Sequence, residues 1–380
     1  MKLNYHYHTV KTLAVAAGFD EHDAQYIAYY SQQVDDFILH SPFLVGERPP
    51  DFFVKNGLAL KVKDNRWAFF PCCTGINALR TISSGYRQTT LLPFHFIPPK
   101  PYHDLPKQVE RSAYRCVSAN RGADLLINRI LFDLDKRDLL ALGMFLHTYA
   151  DTFAHEFYSG LQGWENASFV ETGMHRGESL LFRALPSIGH ANAGFVPDVC
   201  DLKIAIYGKR TEESDFEPLI VRDNNMFFAD CSRRILDILC AANKKPPIGN
   251  RDWQSLQAKL HQAQAGERHH IDEHWVQVFP NIPYGYKKDE FMKIEFELLH
   301  HDENLLNRLR LKPTDLKDPY HPESDWGRVS AFVLAHTISD DFYRFNEAAF
   351  RHVHRVTGLY ATQSHLTQLN SYCRLAEGAV

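Results

Sequence analysis

The sequence predicts a mainly α-helical protein with a small irregular or β excursion near residues 45–100, on three observations. Apolar residues recur at spacings of three and four over residues 9–40 and again over residues 105–159. Between these stretches the texture changes, and Pro42, Pro49, Pro50, Pro71, Pro93, Pro98, Pro99 and Pro101 punctuate residues 41–101. Hydrophobic residues make up 44% of the chain and aromatics 13%, enough for a substantial core, which excludes wholesale disorder.

Taken in order, Val10, Leu13, Ala14 and Ala17 mark a first helix. Gly18-Phe19-Asp20 breaks it, and Asp20 is placed to cap a second helix whose apolar face is Ala24, Ile27, Ala28 and Ser31. Residues 58–62 and 67–70 read as a short hairpin. Helix returns over 105–159, with Leu139, Leu142, Gly143, Leu146, Ala150, Phe153 and Ala154 facing the core and Gly160 closing it. A Gly/Pro-rich loop follows at 186–197, then helices at about 225–243 and about 326–356. The polar stretch from 244 to about 320 separates them. This gives a helical core over 1–243, an accessory segment over 244–325, and a C-terminal helix over 326–380 that packs back on the core.

Charge narrows the function classes. Lys plus Arg is 42 and Asp plus Glu is 46, a net charge of −4, so no global field draws in duplex nucleic acid. The N-terminal apolar stretch is too short for a secretory signal, and no run approaches a membrane span. The seven cysteines show no CxxC pair and read as reduced thiols. A cytoplasmic protein is expected, with export by a dedicated secretion system left open. The outlier is histidine, 21 of 380 residues, the commonest metal ligand among side chains.

His147, Asp151 and His155 stand at i, i+4 and i+8 in the strongest helix. At about 100° per residue they span about 80° of arc, so imidazole, carboxylate and imidazole project to one side. That is a donor set for a borderline-soft divalent metal, and two carboxylate oxygens allow Asp151 to bridge two ions. Other ligand types are spread along the chain: His6 and His8 in YHYHT, Asp35 and Asp36 in QQVDD, His95 in PFHFIPP, and His190 with Asp198 in GHANAGFVPD. His269, His270 and His274 form a second histidine cluster without the glutamate of an HExxH site. They read as a solvated helix face, and His300, His301, His352 and His354 carry still less of a metal signal.

Together these motifs resemble the helical superfamily of zinc-dependent phospholipases C and single-strand-specific zinc nucleases. LGMFLHTYAD resembles its LG-x-x-LH-x-x-x-D helix, FHFIPP its Ser-His-Phe-x-x-Pro histidine, and HYHTVKTLA its first-helix histidine. VDD, PFHFIPP, FLHTYADTFAH and GHANAGFVPD further resemble an uncharacterised bacterial branch of that superfamily. The likeness covers roughly residues 1–205. It implies a phospholipase C-like helical domain with two or three zinc ions. Asp35, His95, His147 and Asp151 would hold the first, His155, His190 and Asp198 the second, and His6 with Asp151 a third. Two departures stand out: His155 follows Asp151 by four residues rather than about six, and Asp198 lies eight residues past His190. The superfamily also uses its N-terminal residue as a ligand, a role left here either to His8 or to no residue.

The implied reaction is phosphodiester hydrolysis by a metal-activated water, with Asp35 or Asp36 as general base. Phe94, Phe96, Phe153, Phe157, Tyr158 and Trp164 could form an apolar rim for a phospholipid. Few basic residues surround the motifs, which favours lipid or small phosphoesters. The alternatives are a single-strand nuclease, which would use the same aromatics as stacking platforms, and a non-catalytic, metal-stabilised effector or interaction protein.

Overall fold

The computed structural model describes residues 2–63, 65–77, 80–105, 111–163, 166, 168–172, 186–194, 196–200, 202–208, 220–265, 270–298, 333–358, 370–371 and 373–374. The described residues are mainly helical, with strands in two sheets. The chain divides into two compact units, one of residues 1–34 and 80–286 and the other of residues 35–79 and 287–380. This corrects the division expected from sequence. Residues 244–286 belong to the first unit rather than to an accessory segment.

In the first unit a π-helical segment, Asn4–Thr9, runs into α1 (Val10–Ala16). After the expected break, α2 (Glu21–Asp36) begins with Asp20 Oδ1 accepting the Asp23 amide at 2.8 Å, the cap its sequence signals. Among the described residues of the stretch 105–159, two 3₁₀ turns, Arg111–Tyr114 and Ala119–Arg121, precede two α-helices. These are α4 (Leu126–Asp133) and α5 (Leu139–Ala154), the second started by Asp138, whose Oδ1 accepts from the Ala141 amide. Their order follows a short α3 (Asp51–Lys55) that lies in the other unit. Helix α5 is buried along nearly its whole length and approaches α2 closely at Gly143. A Cβ at Gly143 would stand 2.4 Å from the Ile27 carbonyl oxygen, so glycine there sets the spacing of the two helices.

Helix α6 (Asn224–Ala242) packs against α1 and α5. Helices α7 (Asn250–Gln264) and α8 (Ile271–Val278) close over the N-terminal π-helical segment. Trp275 Nε1 donates to Asn4 Oδ1 at 2.7 Å, and Gln264 Nε2 donates to Thr9 Oγ1 at 3.0 Å. Those bonds tie the polar 244–286 stretch to this unit, and Trp275 is fully buried against His8. An antiparallel sheet of three strands, β4 (Ser168–Thr172), β5 (Lys203–Gly208) and β6 (Ile220–Asp223), completes the unit and feeds directly into α6. This sheet was not expected.

The second unit carries a five-stranded sheet. Its strands are β1 (Phe43–Val45), β2 (Ala59–Lys61), β3 (Trp67–Phe69), β7 (Ile294–Leu298) and β8 (Val333–Ile338), in the order β2-β3-β1-β8-β7. The hairpin read at 58–70 is present, with Ala59 opposite Phe69 and Lys61 opposite Trp67. The helix expected over about 326–356 is shorter. Residues 333–338 form β8, and α9 (Asp340–Thr357) starts only after Ser339, whose Oγ accepts the Phe342 amide. Val333 and Ala335 are buried on alternate positions, the period of a strand and not of a helix. Phe37, Phe43, Phe69 and Phe342 meet with ring centroids 5.5–6.1 Å apart and make the core between sheet and α9.

Candidate metal centre

The ligand-type residues of the first unit converge from four places. His6 comes from the π-helical Asn4–Thr9 segment and His95 from the end of a second π-helical segment, Arg87–His95. In the latter, Pro93 lacks the N–H that a regular α-helical turn would use. His147 and Asp151 project together from α5, while His155 is that helix's C-cap. His190 and Asp198 sit at two 3₁₀ turns, Ala191–Ala193 and Val196–Asp198. Gly189, at φ +52°, passes so close to the Phe96 ring that a Cβ there would stand 2.5 Å from it.

A deep group forms around Asp151. Its Oδ1 lies 3.2 Å from His6 Nε2, and its Oδ2 lies 3.1 Å from His95 Nδ1 and 3.3 Å from His147 Nε2. The His6 and His147 rings stack at 3.8 Å. Neither buried ring nitrogen of His6 makes a well-aligned hydrogen bond: Nε2 has the Asp151 carboxylate contact alone, and Nδ1 is left uncompensated. An outer group forms around Asp198, whose Oδ1 is 3.2 Å from His155 Nε2 and whose Oδ2 is 3.5 Å from His190 Nε2. His155 Nδ1 also lies 3.6 Å from Asp151 Oδ2, so the two groups adjoin.

The tautomers follow from the backbone. His147 Nδ1 lies 2.8 Å from the Ser31 carbonyl, His155 Nδ1 2.5 Å from the His95 carbonyl, and His190 Nδ1 2.8 Å from the Gly194 carbonyl. A carbonyl only accepts, so each Nδ1 carries a proton, and in the neutral imidazole each Nε2 is then a lone pair. With both imidazoles neutral, the outer group has two such lone pairs facing one carboxylate, three acceptors with no proton between them. Such a cluster is repulsive alone and becomes favourable around a cation. Two ligand atoms at zinc bond lengths of 2.0–2.2 Å stand about 3.3–3.6 Å apart at tetrahedral angles, close to the spacings seen here. Carbonyls that fix the far ring nitrogen are the usual outer support of a metal-binding imidazole.

Protonation states agree with this reading. Burial holds His6 well below its ordinary value, with His147 adding to the effect, and burial pushes His190 down to about 4 against the pull of Asp198. Burial alone would raise the Asp151 carboxyl, but the His155 and His147 imidazoles keep it well below the carboxylate range. Asp198 is likewise raised by burial and held low by His190 and His155. A metal requires neutral imidazoles, which burial favours at His6 and His190.

His190 then makes the chelator-treated protein acid-sensitive. The unfolded chain takes up a proton at His190 below about pH 6.5 while the folded one resists to about 4, so stability falls as pH drops through that window. By pH 5 the expected loss from His190 is about 2 kcal/mol, with His6 acting in the same direction. Urea midpoints at pH 7.5 and 5 on wild type and His190→Gln check this. The variant should lose correspondingly less.

Of the residues read from sequence, His6, His95, His147, Asp151, His155, His190 and Asp198 are brought together. His8 is not. Two residues from His6 on a helix, it projects to the opposite side, where Nε2 meets Asp272 Oδ1 at 2.6 Å and the ring stacks on Trp275. Asp35 and Asp36 end α2 in the second unit. Asp36 lies 3.7 Å from Lys288 Nζ, while Asp35 continues the Ser31 face of the helix by one turn. Of the aromatics that could line a rim, Phe94, Phe96, Phe153 and Tyr158 are core residues, Phe96 stacking on the His155 ring at 4.5 Å, and Phe157 is half-buried. Trp164, His269, His300 and His301 lie outside the described residues.

Arg222 was not anticipated. Its Nη1 donates to the Phe153 carbonyl at 2.9 Å, its Nη2 to those of Ala154 and Pro197 at 3.0 Å, and its Nε to Asn224 Oδ1 at 2.7 Å. Asn224 Nδ2 in turn holds the carbonyls of Val196 and Val199. The pair thus ties the end of α5, just before His155, to the turn that carries Asp198. No helix among the described residues is long and apolar enough to cross a membrane. No curated protein and no solved structure matches the chain. A family model does match, over residues 1–359, and the chain belongs to that family of unknown function, DUF6765.

Proposed function

We propose that this chain is a divalent-metal-dependent hydrolase of phosphodiesters, zinc being the metal that suits its donors, with phospholipase C-like chemistry. The observation that carries the metal is the outer group: two imidazoles, each with Nδ1 fixed by a backbone carbonyl, aim their Nε2 atoms at one carboxylate, Asp198. The substrate class rests on the resemblance of the His147–Asp151 helix and its neighbouring motifs to the zinc phospholipases and nucleases. A near-neutral surface favours small or lipid phosphoesters over polynucleotides.

His6, His95, His147 and Asp151 would hold one ion and His155, His190 and Asp198 another. When bound, such ions supply Lewis acidity toward a phosphoester oxygen and lower the pKa of water toward ~7. The chain's own part is to keep the imidazoles neutral and correctly turned through the Ser31, His95 and Gly194 carbonyls. It also excludes water from the deep group.

Zinc content of the purified protein and hydrolysis of bis(p-nitrophenyl) phosphate, beside a choline phospholipid, test this reading. About two zinc ions per chain are expected, with turnover abolished by chelation and restored by added zinc. Zinc-replete protein that hydrolyses neither substrate removes the enzymatic reading. Protein that never takes up a divalent ion removes the metal one.

A further inference from the structure

We infer that the two metal groups are unequal. The deep one would lock its ion in the fold, while the outer one would exchange its ion with solvent and receive the phosphate of the substrate. This rests on the metal reading above and adds a direction to it. His6 and His147 are fully buried, and His95 and Asp151 are 1% exposed. In the outer group His155 is buried, but the His190 side chain is 17% exposed and that of Asp198 9%. An incoming phosphate therefore meets His190 and Asp198 before anything else in the site.

The supporting elements differ in the same sense. The deep ligands sit on helical segments packed into the core, with Gly143 spacing α5 against α2 and the His6 and His147 rings stacked face to face. Releasing an ion from among them requires those helices to part, an opening close to unfolding of the unit. His190 and Asp198 belong to two three-residue 3₁₀ turns, and Gly189 and Gly194 around the first have φ of +52° and +60°. The partly exposed His190 side gives an ion held there a path to solvent that does not require α5 to part from α2.

The experiment is chelator competition on zinc-loaded protein, followed with a chromophoric chelator. Two release phases separated by at least about tenfold in rate are expected, the fast one absent in His190→Ala and the slow one retained. Protein stripped only of the fast-leaving ion and refilled with Co2+ should show visible bands that shift on adding inorganic phosphate. Asp198→Asn gives a second variant if His190→Ala does not fold, with the same loss of the fast phase expected. A single release phase, a fast phase that survives in both variants, or Co2+ bands indifferent to phosphate would overturn the inference while leaving metal binding intact. Wild-type protein with no bound zinc would overturn both.

Discussion

Asp151→Asn should empty the deep group of metal and abolish phosphodiester hydrolysis while leaving the chain folded. The carboxylate stands within 3.1–3.6 Å of four imidazoles, one oxygen serving His6 and the other His95, His147 and His155. The amide keeps the shape but removes the negative charge and replaces one acceptor with a donor. That donor can satisfy an imidazole lone pair directly, so the apo fold has a way to accommodate the change. A zinc site loses more: substitutions one shell further out already cost 10–100-fold in affinity, so more than about 100-fold is expected for a ligand itself. If Asp151 instead paired protonated histidines in a structural network, removing its charge would leave buried cations unpaired and cost about 3–5 kcal/mol. Elemental analysis, turnover and a urea midpoint on the same preparation separate the two. Lost zinc with an unchanged apo midpoint supports a metal ligand, and retained zinc with a collapsed midpoint sinks it.

Much of this centre was legible in the sequence because its strongest element is a regular helix. The spacing of His147 and Asp151 on α5 follows from 3.6 residues per turn, and the histidines and carboxylates of the other motifs are chemically distinctive wherever they fall. What could not be read were departures from regular geometry. His6 and His95 lie on π-helical segments, which no periodicity in the residues announces, and His155 acts from a C-cap rather than from the helix face. His8 looked equivalent to His6 because two histidines two residues apart carry the same chemistry. Only the direction of projection separates them, and it sends His8 to Asp272, 264 residues away in sequence. The β4–β6 sheet and strand β8 were hidden for a related reason: short strands are decided by long-range pairing more than by local pattern. The hairpin at 58–70 was visible because its partners are adjacent in the chain.

Arg222 was the least legible residue beside the candidate centre, a single arginine in a strand, and its removal should be the most costly change to the fold there. The Phe153 and Ala154 carbonyls it holds belong to the last turn of α5, where no amide further along the helix is available and the helix dipole is negative. Burial lowers its pKa to about 10, so the guanidinium is still charged at neutral pH, and it lies over the Phe227 ring with its carbon 5.1 Å from the centroid. Arg222→Met preserves the apolar stem but leaves three buried carbonyls without their donor. At about 1–3 kcal/mol for each unsatisfied group, less the desolvation no longer incurred by a buried cation, the expected loss is about 3–5 kcal/mol. The same change frees the Pro197 carbonyl beside Asp198 and the Ala154 carbonyl beside His155, so outer-group zinc affinity should fall by about 10–100-fold as well. Arg222→Lys tests the geometry against the charge. A single ammonium cannot span carbonyls from both segments and Asn224 at once, so it should recover part of the stability and little of the zinc affinity. An Arg222→Met protein within about 1 kcal/mol of wild type by urea denaturation would mean that the α5 terminus and the Asp198 turn hold their places without the arginine.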